Sequence, residues 1–381
     1  MHIAIVSPEF PPDFGGIETY AWEFTRELAC RGHQVTVFTG RHALGEANLP
    51  GVEIRPVLRL RRHLDSAALA GQEADVWHVM NAAYAWLALE GKNTVVSVHG
   101  NDFLRPYLPV GMPDLSSLPG GWRLAGHEPG WLRAFGDRRT ARLVQRTLPR
   151  ARHLIANSHY TEQALLRQNP ACAGRTSVAW VGVSAHFFDV THRPATDGVK
   201  RLITVCRLAE PRKNVERVLQ ALARLKSSHE FLYTVVGDGH DRSRLEALTQ
   251  ELGLSDRVCF AGSVSPDALM DVYAEADLLV MASSIAPGSH EGFGIVYVEA
   301  AASGVPSLAA RLAGAAEAVS DGVSGMFVDE PTVESLTAKL GHFFDGTLTF
   351  DPDQCREFAR RFSYARVVDH ALRHYAPAGH G

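Results

Sequence analysis

Cysteine is scarce in this sequence: Cys30, Cys172, Cys206, Cys259 and Cys355 are the five in 381 residues, with no Cys-x-x-Cys pair. An odd, scattered set excludes a disulfide framework and a cysteine-built zinc site, and it points to a reducing compartment. Long apolar runs are missing as well; none approaches the roughly 18 residues of a membrane span. The opening MHIAIVSPEFPP has no basic leader and meets two prolines after a short apolar stretch, too little for a secretory signal. The expectation is a cytoplasmic protein. Nor is there an excess of one charge: 38 Lys and Arg against 42 Asp and Glu leave −4, so no global field draws the chain to nucleic acid. A Gly-x-Gly-x-x-Gly fingerprint is absent after the opening strand of either half, which disfavours a nicotinamide enzyme.

What is present is ordinary globular composition, 46% hydrophobic and 21% charged with a mean hydropathy of −0.07. At roughly 150 residues per domain, the length favours two domains. Short apolar strands are expected at His2–Ser7, Gln34–Thr39, Val76–Met80, Thr94–Val98 and His153–Ala156, with an amphipathic helix from about Glu18 to Cys30. A second series follows at Arg201–Cys206, Tyr233–Val236, Val258–Phe260, Leu278–Met281 and Ser307–Ala309. Strands apolar on both faces, alternating with helices, imply parallel sheets covered on both sides. The polar, turn-rich Asp189–Val199 is the expected linker, and Gln354–Tyr375 reads as one terminal helix. Between Arg133 and Arg152, arginines at 133, 138, 139, 142, 146, 150 and 152 face only Asp137, with Trp131, Leu132, Phe135, Leu143 and Val144 as the apolar side. That segment is either a solvated helix face or a surface for anionic lipid or an anionic acceptor, the latter giving peripheral contact at the inner face of a membrane.

Four clusters carry chemistry. In Ser289-His-Glu291-Gly292-Phe293-Gly294-Ile295-Val-Tyr-Val-Glu299, two glycines lead into a helix, so a ligand can approach the backbone and meet the free N–H groups of the first turn. Eight residues of helix would separate the two glutamates by about 12 Å. That is too far for a glycosidase acid/base pair at about 5–9.5 Å, but it suits a grip on both ends of an extended ligand. Arg207, emerging after a strand, and Lys213 suit a diphosphate, one bidentate and one a point charge. Gly15-Gly16 before the first helix is a second phosphate-approach turn. His99, in Val98-His99-Gly-Asn101-Asp102-Phe, lies at the end of a strand, where α/β sheets bind ligands. Asp351-Pro-Asp353 stands at a helix start, where capping accounts for it, so no metal ligand is assigned.

With its glycines, aromatic residue and the following Gly304-Val-Pro306, the Glu-x7-Glu element resembles the donor-site motif of family 4 glycosyltransferases (glycosyl transferases group 1). The resemblance runs in order from the Gly-Gly loop to the paired glutamates, over nearly the whole chain. It implies the GT-B fold: two facing Rossmann-like, doubly wound α/β domains with an interdomain cleft. The implied boundaries are 1–185 for the acceptor side, 186–352 for the nucleotide-sugar side, and 353–381 for a helix crossing back. On that resemblance Glu291 contacts hydroxyls of the transferred sugar and Glu299 the ribose. The amides around Phe293, Gly294 and Ile295, together with Gly16, meet the diphosphate. Arg207 and Lys213 neutralise the leaving group, and His99 lies beside the reacting sugar. Asn101 and Asp102 depart from the bare histidine motif and are candidates for the acceptor side. Val235-Val-Gly-Asp-Gly239 resembles a family turn, and Gly262-Ser-Val264 sits where the family accepts the base.

The implied activity is retaining transfer of a hexose from a UDP- or GDP-sugar to a hydroxyl, without metal or other cofactor, in glycan, glycolipid or natural-product glycoside synthesis. The nucleotide sugar is the donor; the acceptor is a sugar, a lipid-linked sugar or a small molecule, chosen by N-terminal loops such as Leu104–Gly130. Two alternatives stay open: a nucleotide-sugar epimerase of the same fold, and a non-catalytic nucleotide-sugar-binding scaffold. The complete set Arg207, Lys213, Glu291 and Glu299 argues against the scaffold.

Overall fold

The computed structural model describes residues 1–12, 15–40, 48–112, 130–193 and 197–375. Contacts divide the chain into two compact units, one of residues 1–182 with 364–381 and one of residues 183–363. The second is one continuous stretch and the first is not, because the chain returns to it at Tyr364.

The first unit is built on seven parallel strands: β1 (His2–Val6), β2 (Gln34–Gly40), β3 (Val52–Leu58), β4 (Val76–Val79), β5 (Thr94–Val98), β6 (His153–Ala156) and β7 (Thr176–Val178), in the order β3-β2-β1-β4-β5-β6-β7. The second has six, β8 (Lys200–Val205), β9 (Phe231–Val236), β10 (Val258–Gly262), β11 (Leu278–Met281), β12 (Ser307–Ala310) and β13 (Gly325–Val328), in the order β10-β9-β8-β11-β12-β13. Every pairing is parallel, for example Ile3↔Val76 and Leu202↔Tyr233. The central strands are largely apolar because helices cover both faces: Ile3, Ile5 and Val6, and likewise Leu278, Leu279 and Val280, have no exposed surface.

In each sheet the chain first winds outward on one side and then restarts on the other, between β1 and β4 and between β8 and β11. Ligands of open α/β sheets bind at such switch points, beyond the carboxyl ends of the strands. Gly15 and Gly16 follow β1, and Arg207 follows β8.

Two expected features differ, and a third lies partly outside the described residues. Gln354–Tyr375 is two helices, Pro352–Ala359 and Tyr364–Leu372. The break falls where the chain changes unit: Phe362 packs on Phe293 and Phe358 in the second, whereas Tyr364 packs on Tyr20 in the first. In the basic helix, Gly130–Thr147, Phe135 is not on the buried side but 46% exposed, beneath Arg139. The packed side is Gly136, Thr140 and Val144, and a side chain at Gly136 would collide with Met112. Third, the expected acceptor loop Leu104–Gly130 and linker Asp189–Val199 fall partly on residues 113–129 and 194–196, outside those described. Asp351 caps its helix by accepting the Asp353 N–H at 2.9 Å.

Candidate functional site

In the second unit three loops leave adjacent strands and lock together. The turn after β9 lies against the residues that follow β8: a Cβ at Gly237 would stand 2.0 Å from the Cys206 carbonyl oxygen, and one at Gly239 2.3 Å from that of Leu208. Their φ values, +121° and +159°, also suit only glycine or extended backbone. Leu208 N–H donates to the Asp238 carbonyl at 2.9 Å, and Gly237 N–H to that of Gly262 at 2.8 Å. These glycines thus fix the segment that presents Arg207, which is exposed at the end of β8 and shares with Lys213, Glu210 and Leu245 the wall of a small cavity.

Residues 211–213 form a short 3-10 turn ending at Asn214, whose backbone is left-handed at φ 57°. Asparagine tolerates that conformation, and its side-chain amide donates at 2.7 Å both to the Ala282 carbonyl and to Ser284 Oγ. The turn is thereby stitched to the loop after β11. The stitch brings the Lys213 ammonium 2.6 Å from Glu291 Oε2, with Ser283 Oγ donating to the same oxygen at 3.2 Å and Arg212 Nη1 at 3.4 Å. Burial alone would raise the Glu291 carboxyl, but the charges of Lys213 and Arg212 outweigh it and hold it at about 2. Glu291 is therefore ionised throughout the physiological range.

Past Glu291 the chain reaches Gly294, left-handed at φ +88°, which starts the helix Ile295–Ala302. A Cβ there would sit 2.5 Å from the Tyr297 ring. Phe293 is buried against Phe362. Glu299, one turn into the helix, is 6% exposed, and the Tyr273 hydroxyl donates to it at 3.4 Å. Burial, only partly offset by that hydrogen bond, pushes its carboxyl up to about 7. The two glutamates are thus opposite in character, one fixed as an anion by cations and the other able to take or release a proton near neutrality.

The remaining residues belong to the first unit. Gly15, in extended backbone, precedes the helix Gly16–Cys30, and no side chain caps its first turn. His99 lies edge-on to Tyr20 with its Nε2 buried and without a hydrogen-bond partner; burial lowers its pKa, opposed by Asp102. Asp102 is not free for an acceptor: its oxygens accept the His99 N–H at 2.9 Å and the Ala82 N–H at 3.0 Å, stapling the loop. Asn101 keeps a buried, unpartnered Oδ1.

The sequence reading passed over Arg212, yet it contacts Glu291, Ser289 Oγ at 2.9 Å and Glu210 at 2.6 Å. Adjacency to Lys213 was the available signal. Glu9, beyond β1, was also missed: it accepts from Tyr107 at 2.7 Å and Asn81 at 2.9 Å, and burial raises it to about 7. No helix among the described residues is long and apolar enough to cross a membrane.

Two doubly wound units, with a cation-held carboxylate and a glycine-started helix at the switch point of the second, define a glycosyltransferase of the GT-B fold. Known proteins agree. The chain matches the family model Glycosyltransferase Family 4 over residues 14–187 and the model Glycosyl transferases group 1 over residues 192–362. It belongs to this family. The D-inositol 3-phosphate glycosyltransferase of Mycolicibacterium gilvum is 28% identical, covering 96% of this chain and 85% of its own. The GDP-mannose-dependent alpha-(1-6)-phosphatidylinositol monomannoside mannosyltransferase of Mycolicibacterium smegmatis is 27% identical, covering 88% and 87%. Among solved structures, sucrose-phosphate synthase from Thermosynechococcus elongatus aligns with a TM-score of 0.74 at 20% identity, covering 98% of both chains. HepE of Anabaena, in complex with UDP-glucose, aligns at 0.71 and 19%, covering 98% of this chain and 99% of its own.

Proposed function

We propose that this glycosyltransferase moves a hexose from a UDP- or GDP-linked donor to a hydroxyl acceptor with retention of anomeric configuration, and that it does so without a metal ion. The observation that carries the reading is the Glu291 cluster, a carboxylate kept anionic by Lys213 and Arg212 at the foot of a glycine-started helix. An anionic carboxylate accepts sugar hydroxyls. Arg207, Lys213 and the helix amides suit a diphosphate, and Glu299 suits the paired hydroxyls of a ribose. Relatives named for GDP-mannose and a fold neighbour solved with UDP-glucose support a nucleotide-sugar donor.

In this reading the bond between the anomeric carbon and the phosphate oxygen breaks, and the acceptor oxygen bonds that carbon on the same face. The acceptor proton passes to the departing phosphate. Charge grows on that phosphate as the bond breaks, so cations already in place stabilise the transition state more than the ground state, and this supports independence from metal. His99 and Asn101, with buried unpartnered atoms, are our candidates for the sugar and acceptor side, and Gly15-Gly16 for phosphate approach. The exposed arginines 138, 139, 142, 146 and 150 suit an anionic or lipid-linked acceptor; equal co-sedimentation with neutral and anionic liposomes would remove that extension.

Incubation of the protein with UDP- and GDP-sugars in EDTA, read by mass spectrometry for slow donor hydrolysis, tests the proposal. Release of one nucleoside diphosphate is expected, reduced about 10²–10³-fold in Glu291→Gln. No release from any donor, or full release by Glu291→Gln, would overturn it. Interconversion of the donor sugar with the nucleotide retained would indicate an epimerase instead.

A further inference from the structure

Away from the sugar-transfer residues, one histidine of the sheet meets two from the returning C-terminal segment in the first unit. His153 stands on β6, while His370 lies in the helix Tyr364–Leu372 and His374 in the turn just beyond its end. One ring nitrogen from each lies within 4.8 Å of those of the other two, and all three residues are partly buried. Among the described residues this is the group of three potential ligands that could hold a metal ion.

The contacts show convergence rather than mere proximity. Nε2 of His153 and Nε2 of His370 each stand 2.7 Å from the same Ser177 hydroxyl, on the adjacent strand β7. Two ring nitrogens therefore aim at one point, and a hydroxyl has a single proton to give. The His374 ring stacks on His153 at 3.5 Å with 6° between the planes.

We propose that His153, His370 and His374 form a transition-metal site, with Zn2+ the ion best suited to three neutral imidazoles. A tetrahedral ion with nitrogen ligands at about 2.0 Å places them ~3.3 Å apart, so ligand atoms up to 4.8 Å apart must close by as much as about 1.5 Å. The stacked pair must also turn about the bond to each ring, a soft torsion. A water or the Ser177 hydroxyl completes the fourth position. Arg152, whose Nε donates to the His374 carbonyl at 2.8 Å, and Arg373 add positive charge nearby and limit the affinity. The ion would fasten the returning C-terminal segment to β6. It touches none of the residues assigned to sugar transfer, so it is a structural clamp and compatible with a metal-independent reaction.

The test uses the full chain without a polyhistidine tag, stripped with EDTA. Titration with Co2+ alone is expected to give a visible absorption band of a low-coordinate nitrogen site, saturating at one equivalent and displaced by Zn2+. His370→Asn and His153→Gln are expected to lose that band and the accompanying rise in Tm while keeping the wild-type circular dichroism. The same Co2+ band and the same Tm rise in wild type and variants would overturn the proposal. Should the variants fail to fold, wild-type protein decides by diethylpyrocarbonate labelling with and without Zn2+. Protection confined to His153, His370 and His374 supports the site, and unchanged labelling of these three excludes it.

Discussion

At the scale of single residues, the site depends on how three side chains set the charge of one carboxylate. Arg212 is buried, and its contacts with Glu291, Ser289 and Glu210 make it a positioning residue for the Glu291 loop. Replacing it with methionine removes one of the two charges that oppose burial, so the Glu291 carboxyl rises above its present value of about 2. The acid limb of kcat/KM for donor turnover is then expected to move to higher pH in Arg212→Met and to return in Arg212→Lys; an unmoved limb would show that Lys213 alone governs Glu291. Glu299 behaves in the opposite sense. Folded, it holds its proton to about 7, against an ordinary 4.5. Between those values the folded chain binds more protons than the unfolded one, so the contribution of this group to stability is full below pH 4.5 and falls as pH rises towards 7. Glu299→Gln is expected to remove that loss, on the order of 3 kcal/mol at pH 8, while weakening nucleotide binding. Urea unfolding at pH 5 and pH 8 checks the first part and calorimetric titration with UDP and GDP the second.

At the scale of elements, backbone geometry decides what the site can be. Gly294 combines φ +88° with a Tyr297 ring carbon 2.5 Å from any added Cβ. Gly294→Ala therefore incurs the left-handed penalty of about 1–2 kcal/mol and also displaces the ring. Loss of at least that much stability is expected in urea melts, together with loss of nucleotide binding; a neutral substitution would show that the loop re-forms in another conformation. Strand identity was legible wherever strands are central, because two covered faces leave a short, fully buried and mostly apolar run, as in Thr94–Val98 and Leu278–Met281. The strands not anticipated, β3, β7 and β13, are all outermost in their sheets. β3 carries Glu53, Arg55 and Pro56 and is mostly half-buried, as an edge tolerates but a period rule misses. The motifs placed Lys213, Glu291 and Glu299 on the right loops and helix. They could not show that Arg212 joins Glu291 or that Asp102 turns back onto backbone, since both follow from how loops cross between strands. The same holds for the histidine cluster, in which His153 precedes His370 and His374 by more than 200 residues.

At the scale of the whole molecule, the two units carry different titrating groups, and the sequence supplies a probe for one of them. All six tryptophans, at positions 22, 77, 86, 122, 131 and 180, lie in the first unit, so tryptophan fluorescence reports on that unit alone. Its core holds His78, hydrogen-bonded through Nδ1 to Tyr375 and through Nε2 to Ser97 at 2.9 Å. Burial first, and then nearby His99, lowers His78 from 6.5 to about 3. The unfolded chain thus binds this proton before the folded one does. The stability that His78 contributes is full above pH 6.5 and drains away as pH falls, by about 2 kcal/mol between pH 6.5 and pH 5. Glu299, in the second unit, gains stability over the same fall in pH; Glu9 does so in the first unit, but there it is set against the losses at His78, His153 and His370. Acidification from pH 7 to pH 5 is therefore expected to lower the denaturant midpoint read by tryptophan fluorescence more than the midpoint of the helix signal, which comes from both units. His78→Gln should flatten the fluorescence midpoint against pH. Coincident midpoints at both pH values would mean that the two units unfold as one and that neither titration is local. Tyr375 ties this balance to the end of the chain: it is 1% exposed and fills the first unit beside His78. Tyr375→Ala should cost about 3–5 kcal/mol and shift the fluorescence transition at every pH, because the residues that return to the first unit are part of its core.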